Sequence, residues 1–264
     1  MSSGFGANGA GSDVAAARFL PPAARGRSVD VVPVRKSVRG QNRAVMNIAL
    51  SVRDVSTQSK ISISKAADRR ETTWGSELGM RHFYEAVPGW FNFEGVYRDA
   101  VAEAPPQAVF VEIGVWKGKS AAFMAVEIAN AKKDIAFYAV DHWKGSDEPL
   151  HRVDPDVIAG TLYEAFLSNI APAKAFVRPL RMTSLEAAER FDDQSVDLVL
   201  LDGEHTYEAV SADIAAWLPK LKPGATLAGD DWNWEGVQRA AVEAFGDRIE
   251  VLGEGKSRHW RVRL

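Results

Sequence analysis

The chain has 264 residues, 46% of them hydrophobic and 25% charged, a balance normal for a soluble globular protein with room for one large domain or two small ones. It has no cysteine, which excludes a disulfide scaffold, a thiolate metal site, an iron–sulfur cluster and a cysteine nucleophile, and fits a reducing, cytoplasmic setting. The net charge of −3 hides a split: residues 1–72 hold 12 Lys and Arg against 5 Asp and Glu, a net of +7, and residues 73–264 carry a net of −10.

Residues 1–72 begin MSSGFGANGAGSDVAAARFLPPAARGR, rich in Gly and Ala and without a helical or strand period. Such a stretch buries too little apolar area to offset its chain entropy, so it reads as a basic, disordered leader. A nucleic-acid or membrane arm, or an Arg-rich transit peptide, is the sharper alternative. No apolar run approaches the roughly 20 residues that cross a bilayer, and the start lacks the apolar run of a secretory signal. No membrane partner is expected, and the acidic body argues against nucleic acid as the main substrate.

From residue 73 the text changes, and residues 73–264 read as one domain. Aromatics are dense from Trp74 to Tyr97, and GWFNFEGVYRDAVAEA (89–104) reads as a turn and a short amphipathic helix stopped by Pro105-Pro106. An alternation follows. Strands are predicted at 108–113, 135–141, 175–177, 196–202 and 224–229. Helices are predicted at 119–131, 154–169, 184–191, 207–221 and 235–245. Residues 248–252 and 259–264 close as a hairpin. Apolar strands alternating with helices specify an α/β fold: a mostly parallel sheet with helices on both faces and a C-terminal antiparallel hairpin. Ligands of such sheets bind beyond the carboxyl ends of the strands, near the switch point.

The first strand end is VFVEIGVWKGKSAA (109–122). Gly114 permits a sharp turn, and Gly118 with the helix start offers free N–H groups. A P-loop would need Gly at 113, which is Ile, and a dinucleotide fingerprint would need Gly at 116, which is Trp. What remains is E-x-G-x-x-x-G, from Glu112 through Gly114 to Gly118. Asp141 ends the second strand, where a carboxylate can accept both hydroxyls of a ribose; His142 and Trp143 flank it. Asp202 and the pair Asp230-Asp231 end two later strands. If those strands are neighbours, three carboxylates converge and raise each other's pKa, a repulsion that a hard divalent cation such as Mg²⁺ relieves. Glu204 and His205 lie within reach of the same place. Trp90, Trp143, Trp232 and Trp234 are candidates for a stacking wall, and Trp217 for the core.

EIGVWKGKS (112–120) together with DGEHTYEAVSADIAAWLPKLKPGATLAGDDW (202–232) resembles the class I S-adenosylmethionine (SAM) methyltransferases of the methyltransferase-24 type. That group is related to metal-dependent sugar O-methyltransferases of macrolide and aminocoumarin antibiotic pathways. The resemblance covers about residues 89–264, with Ala225 standing where relatives often have a second Gly. It implies a Rossmann-like class I sheet and a SAM pocket shaped by Glu112, Gly114 and Gly118. Asp141 would bind the SAM ribose, with His142 beside it and Ser184 near the adenine. It implies metal ligation by Asp202, Asp230 and Asp231, and a general base at Glu204 or His205. The expected reaction is O-methylation of a small-molecule hydroxyl, on a sugar or natural-product-like acceptor. A nucleotide-binding or hydrolase module in the same cleft, a non-catalytic SAM-fold protein, and a homo-oligomer stay open as alternatives.

Overall fold

A computed structural model describes residues 79–264. The predicted leader, residues 1–72, lies outside them, as does the start of the predicted domain at 73–78. The described residues contain seven strands: β1 (Ala108–Ile113), β2 (Ile135–Asp141), β3 (Arg178–Arg181), β4 (Val196–Leu201), β5 (Leu221–Gly229), β6 (Glu250–Leu252) and β7 (His259–Arg263). They form one sheet in the order β3-β2-β1-β4-β5-β7-β6. The first five are parallel, and β7 runs antiparallel to both β5 and β6. The expected α/β sheet with its C-terminal antiparallel hairpin is therefore present. The chain starts in the middle of the sheet, steps outward to β3, then returns to lay β4 against the other side of β1. This reversal opens a crevice between the carboxyl ends of β1 and β4.

Both sheet faces are covered. Alternate residues of β1 enter opposite cores: Phe110 joins Phe123, Phe166 and Trp143 on one side, and Val109, Val111 and Ile113 join Phe191, Trp217 and Val237 on the other. The first core is closed by α1 (Glu94–Glu103), α2 (Lys119–Ala131) and α5 (Leu162–Asn169); the second by α6 (Ser184–Ala188), α7 (Tyr207–Trp217) and α8 (Glu235–Phe245). All six residues of β1 are buried, which is why its text is almost wholly apolar. Trp217 is buried in the core, as expected.

Several elements differ from the sequence expectation, among them the helix expected over 207–221, which ends at Trp217, and the strand expected over 224–229, which begins at Leu221. Residues 175–177 are not a strand: Ala171–Phe176 is a 3₁₀ segment, and β3 begins at Arg178. β3 is an edge strand carrying Arg178, Pro179 and Arg181, residues that suit a half-solvated edge and give no apolar signal. The helix expected over 154–169 is two, α4 (Pro155–Ala159) and α5, because Gly160 takes a left-handed φ of 69° between them. A further short helix, α3 (Pro149–Arg152), sits in the segment after β2. The helix expected to end at residue 191 stops at Ala188. It starts with a capping box, in which Thr183 accepts from the Glu186 N–H and Glu186 accepts from the Thr183 N–H.

Candidate functional site

The crevice begins at Gly114. Its N–H donates to Val140 O at 2.9 Å, while the Asp202 N–H donates to Ile113 O at 2.8 Å. The ends of β2, β1 and β4 are thus tied in one row. Gly114 has φ 83°, and a Cβ there would lie 2.1 Å from the Asp202 carbonyl oxygen. The glycine is required by this close approach as well as by its turn. Gly118, at φ 89°, starts α2; a Cβ there would press on Phe166 and Ile170.

Glu112 is fully buried at the end of β1. Ser120 Oγ donates a short hydrogen bond to its Oε1, and Tyr97 lies against it without aligned hydrogen-bond geometry. Burial pushes its carboxyl up to about 7, against the opposing pull of Ser120 and Tyr97. Asp141, at the end of β2, accepts from Trp143 N–H at 2.6 Å and Trp116 N–H at 3.0 Å. Burial raises its pKa, and these amide bonds oppose the rise. Asp141 therefore clasps the loops after β1 and β2 together.

Those loops carry an aromatic group. Trp143 is buried, and its indole N–H donates to Trp116 O at 2.9 Å. His151 stacks on Trp116 with centroids 4.0 Å apart, and the exposed Trp90 lies beside both rings. Lys117 is buried and paired with Asp154 at 2.8 Å and Asp156 at 2.6 Å, fastening the β1 loop to the start of α4. Lys119, the lysine of the near-miss P-loop text, donates to Val87 O at 3.1 Å. It is engaged by the protein backbone, and the P-loop reading loses its phosphate-binding lysine.

Beyond β4 and β5 the acids converge. One ligand atom each from Asp202, His205 and Asp231 lie within 4.8 Å of one another. Burial raises the Asp202 carboxyl well above its ordinary range, and Asp230 and Asp231 push it further. His205 is held between two carboxylates, with Nδ1 2.9 Å from Glu148 Oε1 and Nε2 2.8 Å from Asp231 Oδ2. Burial pulls its pKa down, but those two acids outweigh it and the net shift is upward. Asp231 adopts a left-handed φ of 52°, and Trp234 lies 4.9 Å from the His205 ring. Asp230 is buried against Asn92, with Oδ1 lacking any partner. Its carboxyl is pushed up to about 6, by burial first and then by Asp231.

The structure thus brings Asp202, His205 and Asp231 into one group, with Asp230 electrostatically coupled beside it. Of the other predicted site residues, Glu204 lines a small pocket with His205 and Asp230, and His142 lies 3.9 Å from Asp141. Glu204 is exposed and accepts from Thr206 Oγ1 at 3.4 Å. His142 accepts from the Lys144 N–H at 3.0 Å. Ser184 accepts from Trp217 Nε1 at 2.9 Å and bonds Asp213. Of the proposed stacking residues, Trp143 and Trp232 are buried, whereas Trp90 and Trp234 are exposed at the rim.

Sequence reasoning missed Glu148, Lys117 and Asp213. Glu148 gave no signal beyond an acid in a long loop. Asp213 did give one: with Val210, Ile214 and Trp217 it falls on the buried face of α7, and burial pushes its carboxyl up to about 6.

Residues 111–232 match the family model described as "Methyltransferase domain", in agreement with the resemblance carried by the motifs. A protein of Sinorhizobium fredii, y4gI, is 28% identical over 154 residues, which is 58% of this chain. That match spans only 16% of the relative's own length. Among solved structures, the O-methyltransferase NovP aligns at 16% identity with a TM-score of 0.46, covering 64% of this chain and 78% of that one. CalS11, a TDP-rhamnose 3′-O-methyltransferase of calicheamicin biosynthesis, aligns at 19% identity with a TM-score of 0.47, covering 64% and 76%. Among the described residues no helix is long and apolar enough to cross a membrane.

Proposed function

From the methyltransferase domain matched by residues 111–232, we propose that the chain moves the sulfonium methyl of SAM to a hydroxyl of a small-molecule acceptor, with a divalent cation assisting. One observation carries this reading. Asp202, His205 and Asp231 converge at the crevice where the β1 loop, held by Glu112 and Asp141, meets the end of β4.

Asp141 suits a ribose diol, since a carboxylate offers about four lone-pair sites and backbone amides of Trp143, Trp116 and Val115 take three of them. Gly114 lets a ligand come down to the backbone at the switch point. The donor set of Asp202, Asp231 and His205 fits a divalent cation. Burial, with Asp230 and Asp231 close by, raises the proton affinity of the Asp202 carboxyl, and His205 Nε2 and Asp230 Oδ1 are buried without hydrogen-bond partners. Such a cation, when bound, lowers the pKa of an acceptor hydroxyl. The chain's own share is positioning: an in-line approach of oxygen to methyl carbon gains most of its rate from fixed geometry. Trp90 and Trp234, both exposed at the rim, offer apolar faces to an acceptor ring.

The test is SAM binding by calorimetry on the full chain and on Asp141→Ala. It is followed by transfer of labelled methyl from SAM to a panel of hydroxylated small molecules with added Mg²⁺ or Mn²⁺. Micromolar SAM binding weakened at least tenfold by the substitution is expected. A chain that does not bind SAM, or an Asp141→Ala variant that binds it equally well, refutes the reading.

A further inference from the structure

His205 stands in DGEHTYE where an imidazole could serve the proposed reaction in two ways, as the acceptor of a proton or as a holder of the cation. The contacts of its two ring nitrogens separate these roles. Glu148 Oε1, a carboxylate oxygen that accepts when ionised, lies 2.9 Å from Nδ1. Nδ1 therefore carries a hydrogen, and in the neutral ring the lone pair is on Nε2. That lone pair lies 2.8 Å from Asp231 Oδ2, and the buried Nε2 has no hydrogen-bond partner. Two acceptors facing each other at that distance repel unless something positive lies between them. In the charged ring an Nε2 proton would face Asp231 as an ion pair, but it makes no aligned hydrogen bond there, so the proton leaves this nitrogen poorly satisfied. The Asp202 carboxylate, also within 4.8 Å, adds a third donor of electrons at the same point.

We propose that His205 is a ligand of the cation through Nε2, completing a site with Asp202 and Asp231, and that Glu148 is the positioning residue that fixes its tautomer and ring angle. This rests on the metal-assisted reading above and changes its content. Mg²⁺ takes almost only oxygen ligands, whereas a first-row transition-metal ion accepts an imidazole nitrogen beside two carboxylates, so Mn²⁺ is favoured over Mg²⁺. A carboxylate on the far nitrogen of a ligating histidine is the usual outer partner of such a site. Asp230, turned toward Asn92, then shapes the charge of the site from beside it. Glu148 comes from the segment between β2 and α4, so that segment is tied to the metal group across 57 residues of sequence.

The experiment uses the full-length protein with Mn²⁺ as the probe. Free Mn²⁺ is titrated by continuous-wave EPR, and the bound ion is read by pulsed EPR for coupling to a ¹⁴N nucleus. The wild type should bind Mn²⁺ more tightly than Mg²⁺ in competition and show imidazole nitrogen coupling. His205→Gln should lose the coupling and at least tenfold in affinity. Glu148→Ala should lose roughly 10–100-fold in affinity, and Glu148→Gln, whose amide oxygen can still accept from Nδ1, should recover most of it. Bound Mn²⁺ without nitrogen coupling, or unchanged affinity in His205→Gln, overturns the assignment while leaving metal-assisted transfer standing. A wild-type chain that takes up no divalent cation overturns both. The nitrogen readout on the wild type needs no variant to fold.

Discussion

Glu112 offers a quantitative test of how the crevice is built. Its carboxyl is fully buried at the end of β1, with Ser120 on one oxygen, and burial pushes it from 4.5 to about 7. Each tenfold change in proton affinity corresponds to about 1.4 kcal/mol, so the ionised form is about 3 kcal/mol worse in the fold than in the unfolded chain. Below pH 4.5 both states hold the proton and nothing is lost. Between pH 4.5 and 7 the unfolded chain has released it while the fold keeps it, so stability falls as pH rises. Above pH 7 the loss is complete. Glu112→Gln keeps the shape and an acceptor for Ser120 but removes the charge. Urea unfolding of both proteins at pH 5, 6.5 and 8 gives the comparison. Carboxyls elsewhere titrate in both and cancel in the difference. The advantage of the variant over the wild type should grow by about 2–3 kcal/mol from pH 5 to pH 8. A difference that stays constant to within about 0.5 kcal/mol, near the error of the extrapolation, would falsify the claim that this carboxyl is desolvated.

Two further substitutions probe the same architecture. Gly114→Ala places a methyl 2.1 Å from the Asp202 carbonyl oxygen at φ 83°; the left-handed backbone alone costs about 1–2 kcal/mol, and the clash adds to it. Its melting temperature should fall by roughly 5 °C or more, with SAM affinity falling too, and a melt within a degree of wild type would show that the β1 and β4 loops do not meet as described. Lys117→Met leaves Asp154 and Asp156 without their buried cation and should destabilise the fold by about 2 kcal/mol at pH 7, somewhat below the range for fully buried pairs. Lys117 holds the Asp154 carboxyl below its usual value, so this deficit is present above pH 4 and shrinks as acid protonates Asp154; a deficit that does not change down to pH 3 would argue against the pair.

The sheet was legible because its buried strands leave a strong imprint. β1, β2 and β4 are covered on both faces, so nearly every position must be apolar, and their ends fall within a residue of where the text places them. β3 was misplaced because an edge strand has no such requirement: Arg178 can hydrogen-bond Tyr138 and face water at once. The break at Gly160 was hidden because a single glycine within a helical period weakens a helix without always ending it. The sequence placed Asp202, His205 and Asp231 within reach of one place, and they do meet. That Asp230 stays outside this group was not legible. Asp230 and Asp231 are neighbours in the text with equal claims on a cation. Their side chains leave the end of β5 in different directions, one toward Asn92 and the other, through the left-handed turn at Asp231, toward His205.

Composition and periodicity by themselves determined the α/β class, the position of the crevice at the strand ends, and the residue types available there, because burial on both faces of a parallel sheet constrains every strand locally. Only the tertiary structure decided which groups touch. Glu148 reaches His205, Asp154 and Asp156 reach Lys117, and Ser184 and Asp213 meet at the α6–α7 contact. These pairings depend on how loops far apart in the chain cross the open end of the sheet, and polar side chains exposed to solvent or half-buried carry no period from which such crossings can be read.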